Sequence, residues 1–179
     1  MYSLSAVKVE VCAHSPLDPP RSEAILISSN RRMKMAGGLS GAIHRLAGTS
    51  LRDHCDNLPP LTVGTAIVTP GFDSPFQWIV HAHTGNNFTH PEPWCALAQT
   101  LMAALKAADS ACISSLCCSA FGTGPAQIPA MAAAAITMRT LSEVKASLKN
   151  LNHVKFCVND PVCHGIYIGA ARVWRLVKN

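Results

Sequence analysis

Six short apolar runs punctuate the chain, at Ala6–Ala13, Ala24–Ser28, Gly64–Thr69, Trp78–His83, Cys112–Cys118 and Val154–Val158. Most are continuous rather than strictly alternating, which is the pattern of strands covered on both faces. Between them, apolar residues return every three or four positions. Ser40–Leu46 predicts a helix that continues into a second piece near Leu51–Asn57. Trp94, Leu97, Ala98, Leu101 and Leu105 predict a helix over Pro93–Ala108 with one apolar face. Pro129 suits the first turn of a further helix, whose inward positions are Ala134, Thr137, Leu141, Val144 and Leu148. Asp160 is placed to cap a last helix that opens at Pro161 and carries Val162, Ile166, Ala170 and Trp174. His14–Pro20 and Thr84–Pro93 read as surface loops.

Strands separated by helices predict one α/β domain over residues 1–179, a three-layer α/β/α arrangement on a central mixed, largely parallel sheet. Composition agrees: 49% hydrophobic and 14% charged residues exclude a disordered chain. No apolar run reaches the length of a membrane-spanning helix, and the first residues lack the basic start and apolar run of a signal peptide. Of the eight cysteines, Cys12, Cys112, Cys117, Cys118 and Cys157 fall in strand-like runs, where a free thiol behaves as a small hydrophobe. With no Cys-x-x-Cys and no regular framework spacing, the expected setting is the cytoplasm or another reducing intracellular compartment. Separately, a monomer is expected.

Candidate chemistry lies in two loops. The first follows the strand Ala24–Ser28 and runs from Asn30 through Gly37, Gly38, Leu39, Ser40, Gly41, Ala42 and Ile43 to His44, at a helix start. Paired glycines let backbone N–H groups approach a ligand, and a helix N-terminus adds unpaired donors and partial positive charge. The second follows Cys112–Cys118 and reads Ser119, Ala120, Phe121, Gly122, Thr123, Gly124, Pro125, Ala126, again before a helix. Two such loops after parallel strands share one carboxyl edge of the sheet, where open α/β folds bind ligands. Together they suit a diphosphate. The formal charge of +5 suits an anion but discriminates little.

The segment from Ala24 to Asn30, followed by Gly37-Gly-Leu-Ser-Gly-Ala-Ile-His-Arg-Leu-Ala-Gly48, resembles the signature of the macro domain family. There a strand ends in Asn-Ala-Ala-Asn and is followed by glycines and a Val-Asp-Gly-Ala-Ile-His-Arg-like helix start. Gly64–Gly71 with Trp78–His81 resembles that family's next two strands, and Ser115–Gly124 its second loop. Val154–Asp160 is similar to its last strand and Val7–Val11 to its first.

The resemblance implies a cleft for ADP-ribose, free or on mono-ADP-ribosylated protein. Gly37 to Ile43 would wrap the distal ribose and part of the diphosphate, and Ser119 to Gly124 would hold the diphosphate from the other side. Asn30 would bond the distal ribose and, with His44, would be the catalytic candidate; packing is the favoured role for His44. Glu10 would accept from the adenine amino group with Val11 packed on the ring, or is simply a solvated strand-end charge. Asn159 stands where an aromatic often lines the pocket, and Ala126 where some members place one against the distal ribose. Ile27 replaces the first asparagine of the motif. Ser40 replaces the aspartate that many hydrolytic members carry; a serine is a poor base but a good helix cap. Binding is therefore the leading expectation. Weak hydrolysis of ADP-ribosyl linkages or O-acetyl-ADP-ribose is the alternative, and binding of RNA or another nucleotide a minor one.

Other groups add little. His81, His83, His90 and Cys95 are close in sequence but fit no standard zinc spacing, and His81 resembles a structural histidine of the family. The reading assigns no metal, no cofactor and no membrane contact. Cys117 and Cys118 beside Ser119 have no His or Asp partner that would make them nucleophiles. Arg31, Arg32 and Lys34 are too few, without interleaved aromatics, to make nucleic acid an expected partner.

Overall fold

A computed structural model of the protein describes residues 7–18, 22–86 and 90–177. The expectations for residues 1–6 and for parts of the loops at 19–20 and 87–89 lie outside these. In chain order the elements are β1 (Lys8–Cys12), β2 (Ala24–Ser28), α1 (Gly38–Asp56), β3 (Thr65–Pro70), β4 (Trp78–His83), α2 (Pro93–Ser110), β5 (Ser115–Cys118), α3 (Ala130–Val144), β6 (His153–Cys157) and α4 (Pro161–Val173), with a single 3₁₀ turn at Lys145–Ser147. The strands form one six-stranded sheet in the order β1-β6-β5-β2-β4-β3. Every pairing is parallel except β3 with β4.

The sheet separates two apolar clusters. One contains Ile25, Ile27, Ile43, Leu51 and Ile79 and lies under α1. The larger one packs Leu26, Val80, Leu116, Val154 and Phe156 against Leu97, Leu101, Met138, Leu141 and Tyr167 of α2, α3 and α4. Alternate residues of β2 thus feed both clusters, which is why its sequence is uniformly apolar rather than alternating. The result is the expected three-layer α/β/α domain on a mixed, largely parallel sheet.

The two helical pieces expected after residue 40 join across a kink at Gly48, whose φ of 75° and ψ of −167° interrupt the helical backbone. Asp160 caps α4 as expected, accepting from the Cys163 amide at 2.7 Å. The apolar face of α4 differs from expectation. Val162 and Trp174 are exposed, and Tyr167 and Ala171 are the fully buried residues. On α2, Trp94 is exposed and the buried stripe is Ala96, Leu97, Thr100, Leu101, Ala104, Leu105 and Ala108. Both errors sit in a first or last turn, where an element projects past its neighbours. β5 begins only at Ser115, because Cys112 is exposed at a φ of 58° in the turn that leaves α2.

Candidate functional site: a cleft at the carboxyl edge of the sheet

Four of the five parallel strands, β1, β6, β5 and β2, end along one edge beneath a cleft of about 660 Å³. That volume suits a nucleotide-sized ligand. One wall is the start of α1, with Gly37, Gly38, Leu39, Ser40 and Ala42. The facing wall is the loop after β5, from Ser119 to Pro125. Asn159, just past β6, lines the cleft between them.

Backbone donors are available on both walls. Gly37 caps α1 without any side-chain bond, so the amides of the first turn have no intrahelical acceptor. Gly38 adopts a φ of +59°, and a Cβ on either Gly37 or Gly38 would meet nothing within 4 Å. In the loop after β5, carbonyls are used inward: Ala120 O accepts from Thr123, Gly122 O from Ile128 and Gly124 O from Gln127. The Gly122 and Gly124 amides find no acceptor among the described residues.

Several residues expected at the site are placed elsewhere. Asn30 is committed to its own loop: its amide donates to Lys34 O at 2.9 Å, and its oxygen accepts from the Arg32 and Lys34 amides at 3.1 and 3.0 Å. Its side chain acts as a local turn cap and does not line the cleft. Glu10 lies mid-strand, opposite Lys155 in β6, paired with Lys8 and with an oxygen 3.0 Å from His153 Nε2. The Lys8 ammonium holds its carboxyl below the usual range, opposed by burial and helped by weaker contributions from His153. Val11 packs on the larger core, Ala126 is buried within it, and Ile43 belongs to the cluster under α1. Gly41 is shaped by close approach, since a Cβ there would fall 2.0 Å from Ala36 O. Gly122 lines the cleft, but its missing Cβ would point 2.8 Å from Leu97 Cδ1, at a φ of +92°. A side chain at 122 would therefore enter the core rather than the cleft. Ser40 is not a helix cap either. It sits inside the first turn, 4% exposed, with a hydroxyl that has no partner.

The histidines are structural in placement. His81 is fully buried, bonded through Nδ1 to Ser29 Oγ and through Nε2 to Thr69 Oγ1, each at 3.1 Å. Burial, with smaller contributions from His44 and His54, lowers its pKa to about 3, so it stays neutral. His44 meets its ring edge-on at 6.1 Å, is likewise shifted down by burial, and has an Nε2 without a partner. His83 lies against Ser29 O at 2.9 Å. Neither His44 nor His81 lines the cleft.

Sequence reasoning missed a third contribution, from Ser15, Pro16 and Leu17, which line the cleft after β1. Their signal was topological. A loop after another parallel strand opens at the same edge as the two glycine-bearing loops, whereas its Pro-rich composition says only that it is a loop. Asp160 and Cys163, at the start of α4, also line the cleft for this reason.

Comparison with known proteins agrees with this geometry. The Macro domain family model matches residues 28–137. The chain is 30% identical over 154 residues to the macro domain-containing protein RSc0334 of Ralstonia nicotianae, covering 84% of this chain and 88% of that one. It is 31% identical over 151 residues to the ADP-ribose glycohydrolase MACROD2 of Homo sapiens, covering 81% of this chain but 35% of that protein. It is 30% identical to histone macroH2A1.1 of Capsaspora owczarzaki, of which it spans 42%. Among solved structures, a mutant macrodomain of Oceanobacillus iheyensis with ADPR superposes with a TM-score of 0.85 at 22% identity, covering 96% of each chain. The open parallel edge, the two facing loops, the family match and these relatives agree, and the chain belongs to the macro domain family.

Proposed function

We propose that residues 1–179 form one macro domain whose cleft binds ADP-ribose, free or attached to protein. The observation that carries this reading is the pair of walls: the uncapped start of α1 at Gly37–Ser40 faces the loop from Ser119 to Pro125 across one cleft. Each offers backbone N–H groups, and a diphosphate is a ligand that needs donors from two sides. MACROD2, named as an ADP-ribose glycohydrolase, and an ADPR-containing neighbour support the same ligand class.

The composition of the cleft favours binding over hydrolysis. Among the described lining residues the only carboxylate is Asp160, and it is engaged in capping α4. Ser40 has a hydroxyl, which stays protonated and makes a poor general base. Asn30 is turned into its loop. Calorimetric titration tests the reading. ADP-ribose should bind with a Kd on the order of micromolar, about −8 kcal/mol. AMP should bind far more weakly, because it engages only part of the two-walled site. Equal affinities would refute the two-walled diphosphate site, and absence of binding by either would refute the ligand class.

A further inference from the structure

Three sulfur atoms and an imidazole converge beside the cleft, although no two of their residues form a standard chelating motif in the sequence. Cys12 and Cys157 are register partners at the ends of the parallel strands β1 and β6. The thiols of Cys12 and Cys157 and a ring nitrogen of His14 all lie within 4.8 Å of one another. Cys117, on the neighbouring strand β5, brings its Sγ to 3.3 Å from Cys157 Sγ. Strand alternation explains the gathering. Cys118 and Phe156 point into the larger core, so Cys117 and Cys157 point to the opposite face, under the chain that leaves β1.

We propose that Cys12, His14, Cys117 and Cys157 bind one zinc ion as a thiolate-rich tetrahedral site. With Zn–S of about 2.3 Å, tetrahedral thiolates stand about 3.8 Å apart, against 3.3 Å between the Cys117 and Cys157 sulfurs and no more than 4.8 Å among the ligand atoms of Cys12, His14 and Cys157. His14 Nδ1 lies 2.9 Å from Ser15 O, so Nδ1–H donates to that carbonyl and the lone pair falls on Nε2. This is the second-sphere contact that orients a histidine ligand. Sulfur with one imidazole selects a borderline-soft d¹⁰ cation over magnesium or calcium. Lys155, on the same face of β6 two residues before Cys157, offsets the net negative charge of three thiolates around a divalent ion. The four ligands come from β1, the segment after it, β5 and β6. The ion would therefore fasten His14, and with it the Ser15–Leu17 wall of the cleft, to the sheet.

The test uses the intact protein, purified with a phosphine reductant, stripped with a chelator and titrated with zinc chloride. Native mass spectrometry counts the metal, and cobalt substitution reports the ligands. One zinc per chain is expected, with thiolate-to-cobalt charge-transfer absorption and tetrahedral d–d bands. Cys12→Ser should weaken zinc retention at least tenfold, while Cys112→Ser, an exposed cysteine away from the cluster, should leave it unchanged. Alkylation of the half-exposed Cys12 should slow when zinc is present, which keeps the proposal testable if a core cysteine variant fails to fold. Absence of zinc uptake, an octahedral cobalt spectrum without thiolate absorption, equal zinc retention by Cys12→Ser, or a Cys117–Cys157 disulfide that forms equally with zinc bound would each overturn it.

Discussion

Two glycines two residues apart in the loop after β5 have opposite expected responses to substitution. Gly124 lines the cleft and is exposed, its φ is ordinary, and a Cβ there meets nothing within 4 Å. Gly124→Glu should thus fold with a stability change within about 0.5 kcal/mol, as at other open surface positions. Its carboxylate would share the cleft with a ligand diphosphate. At about 4 Å, a unit like charge costs roughly 1 kcal/mol in water and about 4 kcal/mol at an intermediate dielectric. That corresponds to a loss of affinity of about fivefold to a thousandfold. Gly124→Gln, nearly the same size without the charge, separates electrostatics from bulk. Gly122 faces the other way. Even alanine there adopts a φ of +92° and presses a methyl 2.8 Å from Leu97 Cδ1, 3.2 Å from Cδ2 and 3.6 Å from Ile128 Cδ1. Left-handed strain of about 1–2 kcal/mol and overpacking of about 1–3 kcal/mol place Gly122→Ala roughly 2–5 kcal/mol below wild type. In a domain of this size that is a fall in Tm of about 4–20 °C. The assay is a thermal melt of each variant with and without ADP-ribose, with calorimetric affinities alongside. If Gly124→Glu melts at the wild-type temperature and is raised by ligand as much as wild type, the loop does not face the diphosphate. If Gly122→Ala is as stable as wild type, the backbone argument fails.

Two further predictions concern the scaffold. His81 has a folded pKa of about 3 against an ordinary 6.5, so the unfolded chain binds more protons between those values. Its contribution is full above about pH 6.5 and is lost as pH falls towards 3, with a slope approaching about 1.4 kcal/mol per pH unit for one group. His44, shifted the same way, steepens it; denaturant titrations at stepped pH should show a shallower dependence in His81→Gln, and an unchanged one would refute the assignment. Asp109 accepts from the Lys149, Asn150 and Leu151 amides at 2.8, 2.7 and 2.9 Å, tying the end of α2 to the approach to β6. Asp109→Ala leaves three donors unmatched and should cost about 1–3 kcal/mol by chemical denaturation, whereas no loss would show that water replaces the carboxylate freely.

The sequence carried the strand–helix alternation well because buried parallel strands have continuous apolar signatures, and it read α1 as two pieces, which the structure joins across Gly48. It also marked both glycine-bearing loops. What it handled poorly was the direction in which each residue of those loops points. Gly37, Gly38, Gly122 and Gly124 look alike in sequence, yet the structure turns one missing Cβ into Leu97 and leaves the other three in open space. Asn30 occupies the expected position, but loop closure at Lys34 takes its side chain. Glu10 was a plausible acceptor until register placed it beside Lys155, short of the strand end. These failures share one cause: facing is set by tertiary pairing, which local spacing does not encode. The same cause hid the cluster of Cys12, His14, Cys117 and Cys157, whose members are far apart along the chain and meet only because β1, β6 and β5 are adjacent in the sheet. A binding reading built on backbone amides is less exposed to this failure than one built on side chains. Amides at a helix start and in a loop after a parallel strand are delivered to the carboxyl edge by topology alone. The placement of Asn30 and Glu10 therefore bears on the proposed catalysis and adenine recognition, and not on the proposed binding of a diphosphate by backbone amides.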